Sequence, residues 1–205
     1  MNVTDAVFSG LGGAVVASLV SYLIYLKSKK RLTGKAYEIL RGLGKILEEP
    51  EGGYYIARSS DDNFHIANHI YSHADGEIIA TAFHEDPATY AERDLARAFK
   101  YGGSLFTRIT TEDICGPDSV KRAIEAMTKL LRGSRFVVIP HGKAITRIDG
   151  VFCRFSDNTH LSFMAFRDPK DPSNNRGVVF HDGIAGNFFE YYQTLAREFK
   201  PPEGS

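Results

Sequence analysis

"SRFVVIPHGKAITRIDGVFCRF", residues 134–155, contains the change of pattern on which the fold turns. Its first six residues are dominated by β-branched and aromatic side chains and read as a buried strand. "PHG" then breaks the run, and the Asp149-Gly150 pair reads as a tight turn between two further short strands, "KAITRI" and "GVFCRF". His141, Lys143 and Asp149 fall within this one segment.

Upstream of it, strands alternate with helices. "GYYIARS" (53–59), "GEIIATAF" (76–83), "SLFTRIT" (104–110) and "SRFVVIP" (134–140) read as strands. "DDNFHIANHIYSHA" (61–74), "ATYAERDLARAFKYG" (88–102) and "PDSVKRAIEAMTKLLRG" (117–133) read as the helices between them. Downstream, "HLSFMAFR" (160–167) follows the polar turn "SDNT", and "GVVFH" (177–181) follows the loop "DPKDPSNNRG". "GIAGNFFEYYQTLAREF" closes the domain as a helix, with Phe188, Phe189, Tyr191 and Tyr192 spaced to pack on the sheet. The βαβαβ-like half followed by a meander predicts an α/β sandwich with a mixed sheet.

The first 52 residues differ in kind. Residues 6–26, "AVFSGLGGAVVASLVSYLIYL", carry no charge, and Lys27, Lys29, Lys30 and Arg31 follow them. Twenty-one helical residues at about 1.5 Å each reach about 31 Å, enough to cross a hydrocarbon core of roughly 30 Å. The charges follow the apolar run instead of preceding it, which favours a membrane-spanning helix over a cleaved leader and places the C-terminal side in the cytoplasm. Ser9, Gly13, Ala17 and Ser21 recur every fourth residue, a small-residue face suited to close approach of a second copy. Residues 1–5 form a short outer end, 27–52 a basic segment with an amphipathic helix starting near Thr33, and 200–205 a tail. That helix has three open placements: on the bilayer, on the domain or against its twin. Residues 53–199 form the main domain, and the expected location is an inner or plasma membrane.

Composition bounds the chemistry. The chain has 205 residues with 25 basic and 25 acidic side chains, so overall charge calls for no nucleic-acid partner. Two cysteines, Cys115 and Cys153, support neither a disulfide framework nor a zinc ribbon, and no cofactor is called for. Spaced four apart, His65, His69 and His73 form one helical stripe that matches metal-ligand spacing, with His84, Glu85 and Asp86 after the next strand. An exposed polar face accounts for the stripe equally well.

The order of elements, His141 and Lys143 after a strand, Asp149, then Ser156 and Asn158, and finally "NNRGVVFHDGIAGNFFEYYQTLA", resembles the phospholipase D-like superfamily across residues 53–199. The resemblance implies an HxKxxxxD signature with Gly-Ser and Asn downstream, a histidine that attacks phosphorus, a second histidine from another copy, and a phosphodiester ligand such as a phospholipid or nucleic acid. It assigns catalysis to His141, Lys143, Asp149, Ser156 and Asn158. Arg147, Arg154 and Arg176 are candidate phosphate ligands. With the His and Lys aligned, Ile148 stands where the Asp belongs, Phe155 replaces the Gly and Thr159 the Asn. The expectation is therefore a homodimeric, membrane-tethered, divergent domain that binds or senses a ligand without catalysis, with a phosphodiesterase as the alternative.

Overall fold

The computed structural model of the protein describes residues 34–48, 54–59, 61–83, 105–114, 134–143, 147–166 and 176–199, with isolated positions between 116 and 125. The spanning helix at 6–26, the helix at 88–102, most of the helix at 117–133, Thr33, His84 and Cys115 lie outside the described residues. Among the described residues no helix is long and apolar enough to cross a membrane.

Three helices and eight strands make up the described part. They run α1 (Lys35–Gly42), β1 (Leu47–Glu48), β2 (Tyr54–Ala57), α2 (Asp62–His73), β3 (Glu77–Ala82), β4 (Leu105–Thr111), β5 (Arg135–Ile139), β6 (Asp149–Arg154), β7 (His160–Phe166), β8 (Arg176–His181) and α3 (Asp182–Glu198). The strands form one sheet in the order β1-β2-β8-β7-β6-β3-β4-β5. β3, β4 and β5 are parallel; every other pairing is antiparallel. The mixed sheet is thus the one expected, with the parallel block at one side and the meander at the other.

Alternation along the strands divides the core between the two faces of the sheet. Ile78, Ala80, Val151, Cys153, Leu161, Phe163 and Val179 pack with Ile39 and Leu40 of α1 and with Ile66 and Ile70 of α2. Ile79, Phe152 and Met164 point the other way, against Phe189, Tyr192 and Leu195 of α3. A sheet covered on both faces explains why β3 and β7 read as nearly continuous apolar runs. The aromatic run of α3 is core as expected: Phe189 and Tyr192 are fully buried, and Phe188 and Tyr191 pack partly buried beside them. Cys153 is buried, and burial pushes its thiol far above the usual range, where it is unreactive.

Three local readings change. Lys143, Arg147 and Ile148, the described residues of the expected strand "KAITRI", lie outside any strand. The amphipathic helix before the domain is shorter than its pattern suggested, and it packs on the sheet. Leu47 and Glu48 leave it to form an edge strand paired with Ala57 and Ile56. Its first turn is capped from a distance: Asp157 accepts the Lys35 N–H at 2.7 Å and the Thr159 hydroxyl accepts the Ala36 N–H at 3.1 Å. Asp149-Gly150, read as a turn, is instead the start of β6, opposite Ala165 and Met164. Crowding is the reason that a glycine stands there, since a Cβ on Gly150 would come within 2.5 Å of the Phe163 carbonyl. The tight turn comes later, where Phe155 donates to the Thr159 carbonyl at 2.9 Å and Asn158 to the Phe155 carbonyl at 3.0 Å. Asn158 takes φ 62°, which its short side chain tolerates.

Candidate functional site

The strand directions gather polar residues at two opposite ends of the central sheet. β3, β4 and β5 end where β6 begins, so Phe83, Asp113, His141 and Asp149 share one end. The other end holds the starts of β3, β4 and β5 together with the finish of β6, and so brings Asp75, Glu77 and Ser156 close.

At the first end, His141 follows β5 in a turn closed by the Lys143 N–H on the Pro140 carbonyl at 3.1 Å. Its imidazole Nδ1 lies 3.5 Å from an Asp113 oxygen and 3.4 Å from Nη2 of Arg147, and the side chain is 71% exposed. Arg147 grips both oxygens of Asp113, at 2.7 and 3.2 Å. The neighbouring Thr111 hydroxyl and the Arg147 guanidinium hold the Asp113 carboxyl far below the usual carboxylate range. Asp113 orients the imidazole while its charge is already matched by Arg147. Lys143 is exposed beside this cluster. Asp149 turns its carboxylate to the main chain instead, accepting the Phe83 N–H at 2.6 Å. Arg176, exposed, starts β8 opposite Phe166, two strands away at the same end.

The second end is architectural. Ser156 donates its hydroxyl to Asp75 at 2.9 Å and its N–H to the same carboxylate at 3.2 Å. Asn158 forms the left-handed corner of the turn. Arg154 pairs with Glu77 at 2.8 Å and lies 5.1 Å from the centre of the Phe189 ring. The structure therefore brings together His141, Arg147 and Asp113, keeps Lys143, Asp149 and Arg176 at their end of the sheet, and places Ser156, Asn158 and Arg154 at the other.

The histidine stripe forms its helix as expected. His69 and His73 stack with ring centres 4.1 Å apart, and His73 Nδ1 meets the His69 carbonyl at 2.8 Å. His69 lies against Gly42, where a Cβ would come within 2.5 Å of Nε2. Among the described residues no three metal-ligating side chains converge. Asp113, Asp75, Glu77 and Asp157, which organise both ends, escaped the sequence reading. Apart from the Asp113–Thr111 and Asp157–Thr159 contacts, their partners lie 28 to 122 positions away, and no local spacing announces them.

No family model matches the chain, and no curated protein does. Among solved structures it is similar to TrmBL2, described as an archaeal chromatin protein with a novel mode of DNA binding, with a TM-score of 0.51 and 14% identity over 93% of this chain and 69% of that one. NucT from Helicobacter pylori aligns with a TM-score of 0.48 and 14% identity, over 68% of this chain and 91% of that one. Nuc from Salmonella typhimurium, a phospholipase D family member, aligns with a TM-score of 0.45 and 16% identity, over 73% and 93%. At these identities the likeness to TrmBL2 is one of fold alone, and the two weaker superpositions fall below the level at which a shared fold can be argued.

Proposed function

We propose that this chain is a single-pass membrane protein whose cytoplasmic domain keeps a phospholipase D-like architecture without its chemistry and serves as a binding or sensor module. What supports the reading is the separation of the signature residues. His141 and Lys143 stand at one end of the central strands, while Ser156 is engaged by Asp75 at the other, with β6 between them. Six strand residues at about 3.3 Å put the two ends about 20 Å apart, too far for one phosphate to touch both. The membrane placement and the homodimer rest on the uncharged, small-residue stretch at 6–26 and the basic cluster after it.

The test is turnover. The full chain in lipid vesicles is offered bis(p-nitrophenyl) phosphate, phosphatidylcholine and a single-stranded oligonucleotide, beside the variant His141→Ala. No hydrolysis is expected from either. Hydrolysis that disappears in His141→Ala, with acid-labile phosphate trapped on the parent chain, would sink the proposal. That result would establish the phosphodiesterase reading, which has one observation on its side: an exposed imidazole 3.5 Å from a carboxylate, accessible to a second copy.

A further inference from the structure

Beneath the last turns of α3, on the sheet face that α3 covers, lies a cavity of about 490 Å³. It is at the Ser156 end of the strands, away from His141, and no part of the phosphodiesterase signature enters it. Its charged lining is Arg135 from the start of β5, Arg154 from the end of β6, Arg197 from the last turn of α3, and Glu77 from the start of β3. Among the described residues that line it, three guanidiniums face one carboxylate.

The carboxylate is already committed. Glu77 accepts from Arg154 at 2.8 Å and from the Gln193 amide at 3.1 and 3.0 Å, so it sits within a closed hydrogen-bonded set. Among the described residues no acidic side chain pairs with Arg135 or Arg197. These two guanidiniums come from different elements and line one concavity. Ile79 and Ala196 make part of the wall apolar, and Leu105 stands at the edge with 57% of its surface exposed.

We infer that this cavity binds a small phosphomonoester with an organic body, of the size and chemistry of a nucleoside monophosphate. Each guanidinium presents donors in a planar fork that matches phosphate oxygens, and two cations that no described acidic side chain pairs match the two charges of a phosphomonoester near neutral pH. The volume is in the range of small-molecule sites, roughly 300–1,000 Å³. The apolar wall with Leu105 receives the body of the ligand. A concave site with two arginines that no described acidic side chain pairs, in a chain whose formal net charge is zero, favours a small ligand over a nucleic-acid backbone, which would need a basic track along the surface.

The experiment is calorimetric titration of the full chain with AMP, inorganic phosphate and a single-stranded oligonucleotide without a terminal phosphate. The parent is compared with Arg135→Gln, Arg197→Gln, Arg197→Lys and Arg41→Gln. Saturable AMP binding is expected, tighter than that of inorganic phosphate. Either glutamine variant weakens it roughly tenfold or more, the size of one charge-assisted hydrogen bond. Arg41→Gln, exposed on α1, binds as the parent does, and Arg197→Lys recovers part of the loss. Absence of saturable AMP binding, AMP binding indifferent to both glutamine variants, or binding of the oligonucleotide without affinity for AMP overturns the inference. Since the site shares no residue with the His141 cluster, hydrolysis of phosphodiesters by His141 would leave these outcomes unaffected.

Discussion

The two ends of β6 are built from similar residue types and do different work. At the Asp149 end, His141, Asp113 and Arg147 form an exposed cluster that joins the end of β4 to the approach to β6. At the Arg154 end, Asp157 and Thr159 seize the first turn of α1, Ser156 ties to Asp75, and Arg154 ties to Glu77 and, through it, to Gln193 of α3. The difference teaches that a polar residue's neighbours in sequence say little about its task. Ser156 and Asn158, which look like phosphate ligands beside His141, shape a turn that anchors a helix more than 120 positions upstream.

The comparison breaks first if the two ends are not joined through the core. Phe152 lies midway along β6, fully buried, with its ring centre 4.4 Å from that of Tyr192. Phe152→Ala is expected to cost about 3–5 kcal/mol in a denaturant titration, the usual range for such a truncation. Hydrogen exchange should quicken together at the Phe83 amide of one end and the Lys35 amide of the other. Quickening at one end alone would show that they unfold as separate units. Gly76→Ala is expected to cost less, about 1–3 kcal/mol, the range for overpacking. Its new Cβ would strike the Arg154 carbonyl and come within 2.9 Å of the Phe155 Cα, neither of which is a flexible side chain. Here exchange at Lys35 and Ser156 should rise more than at Phe83; equal rises would contradict a locally built Arg154 end.

The comparison sharpens with one aspartate from each end. Asp157→Ala removes the acceptor of the Lys35 N–H and is expected to cost about 1 kcal/mol, as lost helix caps do. Burial pushes the Asp157 carboxyl up, but the hydrogen bonds from Thr159 and the Lys35 N–H outweigh it, and the net shift is below the ordinary 3.8. Its stabilisation is therefore fully present above that value and lost as pH falls below it. The gap between parent and variant midpoints should close in acid. Asp113→Ala, which breaks an ion pair at the surface, should cost less than Asp157→Ala at neutral pH, because surface pairs contribute little. A loss matching that of Asp157→Ala would make the His141 cluster structural after all.

Much of the fold was legible because apolar periodicity is local. β2 to β5, β7, β8, α2 and α3 fall where alternation and helical spacing place them, each within a residue or two. What failed to read locally was set by distant contacts. Asp149-Gly150 has the chemistry of a hairpin turn, yet the Phe83 amide and the Phe163 backbone draw it into the sheet. Leu47 and Glu48 continue a helical pattern, yet pair with Ala57 and Ile56. Of the candidate site, only the meeting of His141 with Arg147, six residues apart, falls within the reach of a motif. Asp113 arrives from β4 because two parallel strands end side by side, a fact of topology that no local pattern encodes.

The smallest effect concerns how α1 is held at its second end. The turn grips its N-terminus, while His69 of α2 lies against Gly42 at its C-terminus. Burial lowers the His69 pKa, the charge of His73 lowers it further, and the Ile39 carbonyl only partly opposes them. A histidine whose folded pKa lies below its ordinary 6.5 favours the neutral ring, so stability is kept above 6.5 and declines as pH falls through the folded value. His160 shifts in the same direction through burial and Arg154, so a global midpoint would mix the two. A local readout separates them. Exchange at the Leu40 and Leu43 amides, corrected for its intrinsic pH dependence, should rise modestly as pH falls from about 7 to 5. His69→Gln should flatten that rise while Asp157→Ala leaves its slope alone. An unchanged slope in His69→Gln would mean that the grip of the hairpin turn alone decides whether α1 stays on the sheet.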